Sequence, residues 1–392
     1  MPVFRSSPLI SQLEDNIFSV LEKMAAQTDA SQRPVIDLSS GSPRQPTPPA
    51  VVAALQLAAA QPDNHDYPSF WGKTELRQAI AHYCEVSYGY HPDPESEIAI
   101  FQGAHIGVSG IPRAILSPGE YLISTDPCYP IYRSAAAQAQ ARFYGIPLQA
   151  ERQFLPDFSQ LPAEVRQNAG LLMLNYPHNP TGAIATEQLF DEALDFVRAQ
   201  NIPLLHDFAY ASVGSQPHHA PLSLMSRPEG AEWGVEIYTM SKTFLMAGWR
   251  LGFAVGNASV ISAFKKLHTQ SYSTVFGAIQ DAAVTALSLP AESVSQFAEA
   301  YHRRREQVVR RLHAMHWPVA PDQGTFFLWL PVPMGYQSQQ FAEHLLREAQ
   351  VLVAPGQAFG PAGEGYIRLS LTTDDNILDE ALKRIAALKL FY

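Results

Sequence analysis

The chain of 392 residues predicts an α/β fold, with a mostly parallel sheet held between helices and a smaller α+β lobe beside it. Three observations predict it. From about residue 98 to about 256, short apolar runs alternate with helical patterns, the arrangement of parallel strands joined by helical crossovers. From about 258 helix dominates, and after Trp317 a shorter pattern of strands and helices takes over. With 46% hydrophobic and 16% charged residues, the chain has apolar surface for more than one small core, so two packed lobes are expected.

Taken in order, the first elements are a helix over 11–26 and an extended stretch ending in the turn-rich "GSPRQPTPP". A helix follows over about 48–60. The apolar runs of the large lobe are "EIAIFQG", "EYLISTDPCYP", "ARFYGIPL", "GLLMLNYPHNPTG", "IPLLHDFAY", "EIYTMSKTF" and "GFAVG". The smaller lobe reads as "GTFFLWLPV", a helix near 337–349, "VLVAPGQAFG", "GYIRLSL" and a terminal helix. The domain division expected from this is 1–45 as an N-terminal arm with part of the small domain, 46–280 as the large domain, and 281–392 as the small domain. The basic cluster "YHRRREQVVRRLHAMHW" carries Val308, Val309 and Leu312 at helical spacing, so it reads as the solvated, partly snorkelling face of an amphipathic helix.

Composition removes several classes of function. A net charge of -10 argues against a nucleic-acid partner. No run reaches the roughly 18–20 apolar residues of a membrane span, and the first residues lack a signal-peptide pattern, so a cytoplasmic location and no membrane contact are expected. Cys84 and Cys128 are the only cysteines, without metal-ligand spacing, and His218 and His219 between prolines read as a surface loop. No metal site is expected.

In a parallel sheet, chemistry belongs at the carboxyl ends of the strands. "FQGAHIGVSG" leaves a strand and opens a helix at Gly103, Ala104 and His105, where free backbone N–H groups can hold an anion. Tyr129 in "DPCYP" can wall a flat ligand, although a tyrosine there more often only packs. "NYPHNPTG" crowds Asn175 and Asn179 into a rigid turn with amide donors to offer, although a plain loop needs less. Asp207, straight after an apolar run, needs a cationic or hydrogen-bonding partner if buried, and Tyr210 follows it. In "TMSKTFLMAGWRLGF", Thr239 and Lys242 stand at a strand end and Arg250 at the turn before the next strand.

Each of these alone has an ordinary structural reading. Together, an aromatic wall, amide donors, a buried carboxylate with a phenol nearby, a lysine, and an arginine beside an anion cradle are what would hold a pyridine ring bearing an aldehyde and a phosphate, which is pyridoxal 5'-phosphate. "NYPHNPTG", "HDFAY", "SKTFLMAGWRLGF" and "IRLSL", in this order, resemble the fold-type-I, class I/II pyridoxal-phosphate aminotransferases, over nearly the whole chain.

The resemblance implies a fold and a set of roles. The large domain would carry a mostly parallel seven-stranded sheet between helices, and the small α+β domain would be built from N- and C-terminal segments. Lys242 would form the internal aldimine and afterwards move the proton at the substrate's α-carbon. Asp207 would pair with the pyridine nitrogen, Asn179 and Tyr210 with the ring's phenolic oxygen, and Tyr129 would stack on the ring. Ala104, His105, Thr239 and Arg250 would hold the phosphate, with the side-chain role of His105 left open because relatives often carry a small hydroxyl or a lysine there. Arg368 would grip the substrate's α-carboxylate by two points, with Gly41 beside it. Tyr67 would reach the phosphate of a partner subunit, so a homodimer with shared active sites is implied.

The implied reaction is a ping-pong amino transfer between an L-amino acid and a 2-oxo acid, with glutamate and 2-oxoglutarate as the usual pair in the family. The likeness is to the branch of LL-diaminopimelate and alanine aminotransferases, so LL-diaminopimelate, alanine or a related amino acid is expected as donor. "QGAHIGVSGIPRAIL" lacks the lysine that diaminopimelate-specific members carry there, and Arg44 stands where relatives have an acidic residue. Arg44 either meets a distal carboxylate or sits on the surface. Two other readings use the same scaffold: a β-lyase acting on cysteine conjugates, and a non-catalytic regulatory module, against which the acidity and the absence of room for a helix-turn-helix domain count.

Overall fold

The architecture was obtained as a computed structural model that describes residues 4–28, 33–213, 220–320 and 324–391. His218 and His219 lie outside the described residues.

The seven runs of the large lobe form one sheet, in the spatial order Ile98–Phe101, Gly252–Gly256, Gly234–Thr239, Leu204–Asp207, Ala169–Leu174, Tyr121–Asp126, Arg142–Pro147. Six strands run the same way; Gly252–Gly256 is antiparallel to both of its neighbours. The strands read as continuous apolar runs because both faces are covered. Successive side chains of Ala169–Leu174 go to opposite faces: Leu172 and Leu174 join the core under the helix Glu187–Gln200, while Leu171 and Met173 join the core under Ala104–Ile115 and Ala258–Ser271.

Helix ends follow from local chemistry. Thr186 accepts a hydrogen bond from Leu189 N–H at the start of Glu187–Gln200, and Asn201 closes it in the left-handed conformation at φ 54°. The first helix starts later than expected, at Ile17 rather than 11, because Asn16 caps it by accepting from Phe18 N–H at 3.0 Å, and a separate short turn, Ile10–Gln12, precedes it.

The small lobe joins the two ends of the chain. Phe327–Pro331, Tyr366–Ser370 and Ala354–Pro355 form an antiparallel sheet, and Ile36–Asp37 pairs in parallel with Val351–Leu352. Ser370 N–H then donates to Leu38 O at 2.8 Å, so residues 38–42 are laid along the strand that carries Arg368. The expected boundary between 280 and 281 falls within the helix Gly277–Leu287, whose apolar face shares a core with Val51, Leu76 and Ile80.

The basic helix, Ala291–Ala314, is less solvated than its sequence suggests. Arg305 is buried and donates to Thr325 O; Arg304 reaches Asp375 at 2.6 Å and Leu371 O at 2.7 Å; Arg311 meets Asp379 at 2.9 Å. Arg304 and Arg311 therefore fasten this helix to Asp375–Ala386, while Arg303 and Arg310 stay exposed. A pattern of 3.6 residues locates the apolar stripe but does not say which charges a later helix will meet.

Candidate active site

Strand ends of the large lobe, the loop 38–42 and the first helix enclose a cavity of about 520 Å³. At its inner end stand Asp207, Tyr210, Tyr129 and Lys242; Ala104, His105, Thr239 and Arg250 line one side; Gly41, Asn179 and Arg368 line the other. The structure thus brings together eleven of the thirteen site residues read from the sequence. Gly103 stands just behind the lining, and Tyr67 lies away from it, 95% exposed.

Asp207 ends a buried strand and is 5% exposed. Tyr132 donates to its Oδ2 at 2.7 Å, whereas Oδ1 is buried without a hydrogen-bond partner. Burial pushes its pKa up, opposed by the Tyr132 hydroxyl and the nearby His206. A buried carboxylate oxygen without a partner, on a residue that lines the cavity, calls for a donor. Asn175 fixes the geometry from behind, donating to Asp207 O at 2.6 Å while its own Oδ1 accepts from Asn179 N–H at 2.8 Å.

Lys242 sits in the short helix Met240–Thr243, directly after the strand Gly234–Thr239, and donates to Gly41 O. Desolvation, then the positive charges of Arg368 and Arg250, push its pKa down to about 8, against the opposing pull of Asp207. An amine with that pKa is partly free base near neutrality and able to act as nucleophile or base.

The anion cradle is built from two glycine-dependent features. Gly103 caps Ala104–Ile115 at φ +89°, a left-handed-side conformation, and no side chain caps the helix. A Cβ at Gly103 would lie 2.5 Å from Nη2 of Arg250, so the close approach of the guanidinium to the helix N-terminus needs a glycine. His105, at the first turn, has its pKa lowered by desolvation and by Arg250.

Arg368 is 1% exposed. Nη1 donates to Asn179 Oδ1 at 2.7 Å and Nη2 to Ser39 O at 2.6 Å, and its Nε is buried without a partner. The guanidinium lies between the rings of Phe327 at 3.9 Å and Phe359 at 4.7 Å, with Phe18 at 5.3 Å. Desolvation lowers its pKa to about 10, which still leaves it charged near neutrality. Among the described residues no carboxylate forms an ion pair with it, although Asp37 is near enough to favour its charge, so a planar anion entering the cavity would find a pre-aimed cation. Arg44 is exposed, outside the lining, and donates to Thr373 Oγ1 at 3.1 Å.

Residues 33–385 match the family described as aminotransferase class I and II. The chain belongs to that family. It is 41% identical to the L-glutamine–4-(methylsulfanyl)-2-oxobutanoate aminotransferase of Bacillus subtilis strain 168, covering 99% of this chain and 97% of that one. It is 35% identical to the LL-diaminopimelate aminotransferase of Aquifex aeolicus strain VF5, covering 99% of this chain and all of that one. Among solved structures, substrate-bound BacF from Bacillus subtilis superposes with a TM-score of 0.96 at 34% identity, covering 100% of this chain and 99% of that one. This aminotransferase therefore moves amino groups between amino acids and 2-oxo acids and depends on pyridoxal phosphate, as its family does. The unpartnered Asp207 Oδ1, the uncapped helix N-terminus beside Arg250 and the lowered pKa of Lys242 fit the ring nitrogen, phosphate and aldehyde of that group.

The sequence reading missed Tyr132, Ser39, Phe327, Phe359, Phe18 and Glu22. Tyr132 was legible in principle: "CYPIYR" sets two tyrosines three residues apart at a helix start, so both can face one site, but which one meets a carboxylate depends on the neighbouring strand.

Proposed function

We propose that this aminotransferase takes its amino group from L-glutamine and passes it to a neutral 2-oxo acid of the thioether type, 4-(methylsulfanyl)-2-oxobutanoate. What carries this reading is the charge inventory of the cavity. Its described cations are His105, Lys242, Arg250 and Arg368. Arg250 and the helix N-terminus serve a phosphate, Arg368 serves an α-carboxylate, Lys242 serves the reacting carbon, and burial favours neutral His105. None is left for a second carboxylate on the substrate. The identity to a relative whose name specifies glutamine and the thioether oxo acid supports the same choice.

In this assignment Asp207 Oδ1, buried without a partner, would accept from the ring nitrogen, and Asn179 and Tyr210 would hold the ring's phenolic oxygen. Bound there, the cofactor supplies an electrophilic carbon and an electron-withdrawing ring. Lys242 Nζ would take the proton from the substrate's α-carbon and deliver it to the electrophilic carbon that the cofactor supplies, so that the nitrogen stays behind, and Arg368 would keep the α-carbon in reach. Tyr67, exposed on the single chain, serves the partner's site in a homodimer, and the enzyme works in the cytoplasm.

Mixing the cofactor-loaded enzyme with single amino acids and following its absorbance ranks the donors directly. L-glutamine and L-methionine are expected to convert the enzyme fastest, and 4-(methylsulfanyl)-2-oxobutanoate to restore it. Faster conversion by LL-diaminopimelate or glutamate would overturn the substrate reading. Lys242→Ala should bind cofactor yet lose turnover by at least about 10⁴-fold, as expected when the nucleophile and proton carrier are one group.

A further inference from the structure

We infer that Glu22, on the first helix, selects the amide of L-glutamine against the carboxylate of L-glutamate. The inference rests on the glutamine reading and names the residue behind it. Ile17–Gln27 presents Phe18 and Glu22 to the cavity, one turn apart on the same helix face. Leu21, between them, is buried in the large-lobe core and fixes the helix against the site. Phe18 lies over the Arg368 guanidinium, so this helix covers the substrate end of the cavity rather than the phosphate end.

Three carboxylates line the cavity: Glu22, Asp37 and Asp207. Asp37 accepts from Ser39 N–H and Oγ–H, both at 2.7 Å, and Asp207 is held by Tyr132. Glu22 is exposed at the cavity's edge and has no hydrogen bond or ion pair among the described residues, so its carboxylate is open to a group entering from solvent. Phe18 lies 5.3 Å from the Arg368 guanidinium and Glu22 follows it one helical turn along the same cavity lining, so a substrate side chain that runs from Arg368 past Phe18 is taken to reach Glu22. An amide there donates N–H to the Glu22 carboxylate, and Phe18 packs on the methylenes. A glutamate side chain would set two carboxylates against each other, with no described cation between them. A thioether passes this point with neither gain nor repulsion.

The test is Glu22→Gln, read as the ratio of the glutamine to the glutamate half-reaction rate on one preparation of loaded enzyme, so that loss of folded protein cancels. The ratio is expected to fall at least about tenfold, since a hydrogen bond to a charged acceptor is lost and a repulsion removed together. Dissociation constants of the two amino acids on enzyme also carrying Lys242→Ala should show the same fall without turnover. A wild-type enzyme that uses glutamate as readily as glutamine would overturn both the donor reading and this role. A wild-type enzyme that prefers glutamine while Glu22→Gln keeps the same ratio would overturn the role of Glu22 alone.

Discussion

Asp207 and Glu236 stand on adjacent parallel strands, one residue apart in register, both buried. Glu236 is satisfied on both oxygens. Oε2 meets His206 Nδ1 at 2.7 Å and accepts from Leu224 N–H at 2.7 Å; Oε1 accepts from Ser223 Oγ–H at 2.6 Å and from the Tyr238 hydroxyl. Asp207, which lines the cavity, has one oxygen satisfied and one buried without a hydrogen-bond partner. The difference teaches how to tell a structural buried carboxylate from a functional one: the first is complete within the fold, and the second is completed by what binds.

The comparison can be broken at either end. The largest effect is expected from Glu236→Gln, because the NH₂ must face either Leu224 N–H, which can only donate, or two hydroxyls that would have to turn from donating to accepting, and the buried charge opposite His206 is lost; the enzyme should lose about 3–5 kcal/mol of stability, read by chemical denaturation, while activity per folded molecule barely changes. Asp207→Asn should do the reverse. Tyr132 can still donate to the amide oxygen, so the cofactor-free enzyme should keep its denaturation midpoint, while kcat/KM falls about 10²–10³-fold through loss of a preorganised charge. Equal losses of stability in both variants would erase the distinction.

Tyr132→Phe sharpens the comparison by making Asp207 less complete still. Its hydroxyl holds the Asp207 pKa down, so without it the carboxylate protonates at higher pH, and the acid limb of the activity profile should move to higher pH with kcat down about tenfold. A last effect, read in pH rather than in rate, concerns Lys242. Its pKa falls from 10.5 to about 8 on folding of the cofactor-free chain, so between those values the unfolded chain binds more protons, and stability should rise with pH across that window. Lys242→Met should lack this rise, checked by denaturation at pH values on both sides of the window.

Much of this contrast was legible in sequence from one side only. The strand ends that carry Asp207, Lys242 and Arg250 show as apolar runs closing on a charged residue, a local signal. That Asp207 needed a partner was also legible, from the cost of burying a carboxylate. Which residue supplied it was not, because Tyr132 comes from a helix 75 positions away in the chain and reaches Asp207 only through the packing of sheet and helix. Glu236 gave no signal in "VEIYT", since an alternating strand with one acidic residue reads as half-exposed. The start of the first helix was misplaced for the opposite reason: Asn16, a short-range cap, outweighs an apolar pattern that begins earlier.

The single antiparallel strand of the large sheet carries one more consequence. Because Gly252–Gly256 runs back beside Gly234–Thr239, with Thr239 opposite Gly252, the loop between them is clamped at both ends, and Lys242 and Arg250 lie within it. The two groups therefore behave as one cassette with a fixed length. A single inserted residue between Lys242 and Arg250 would shift one of them against the other, so on the proposed assignment this loop tolerates substitution better than insertion.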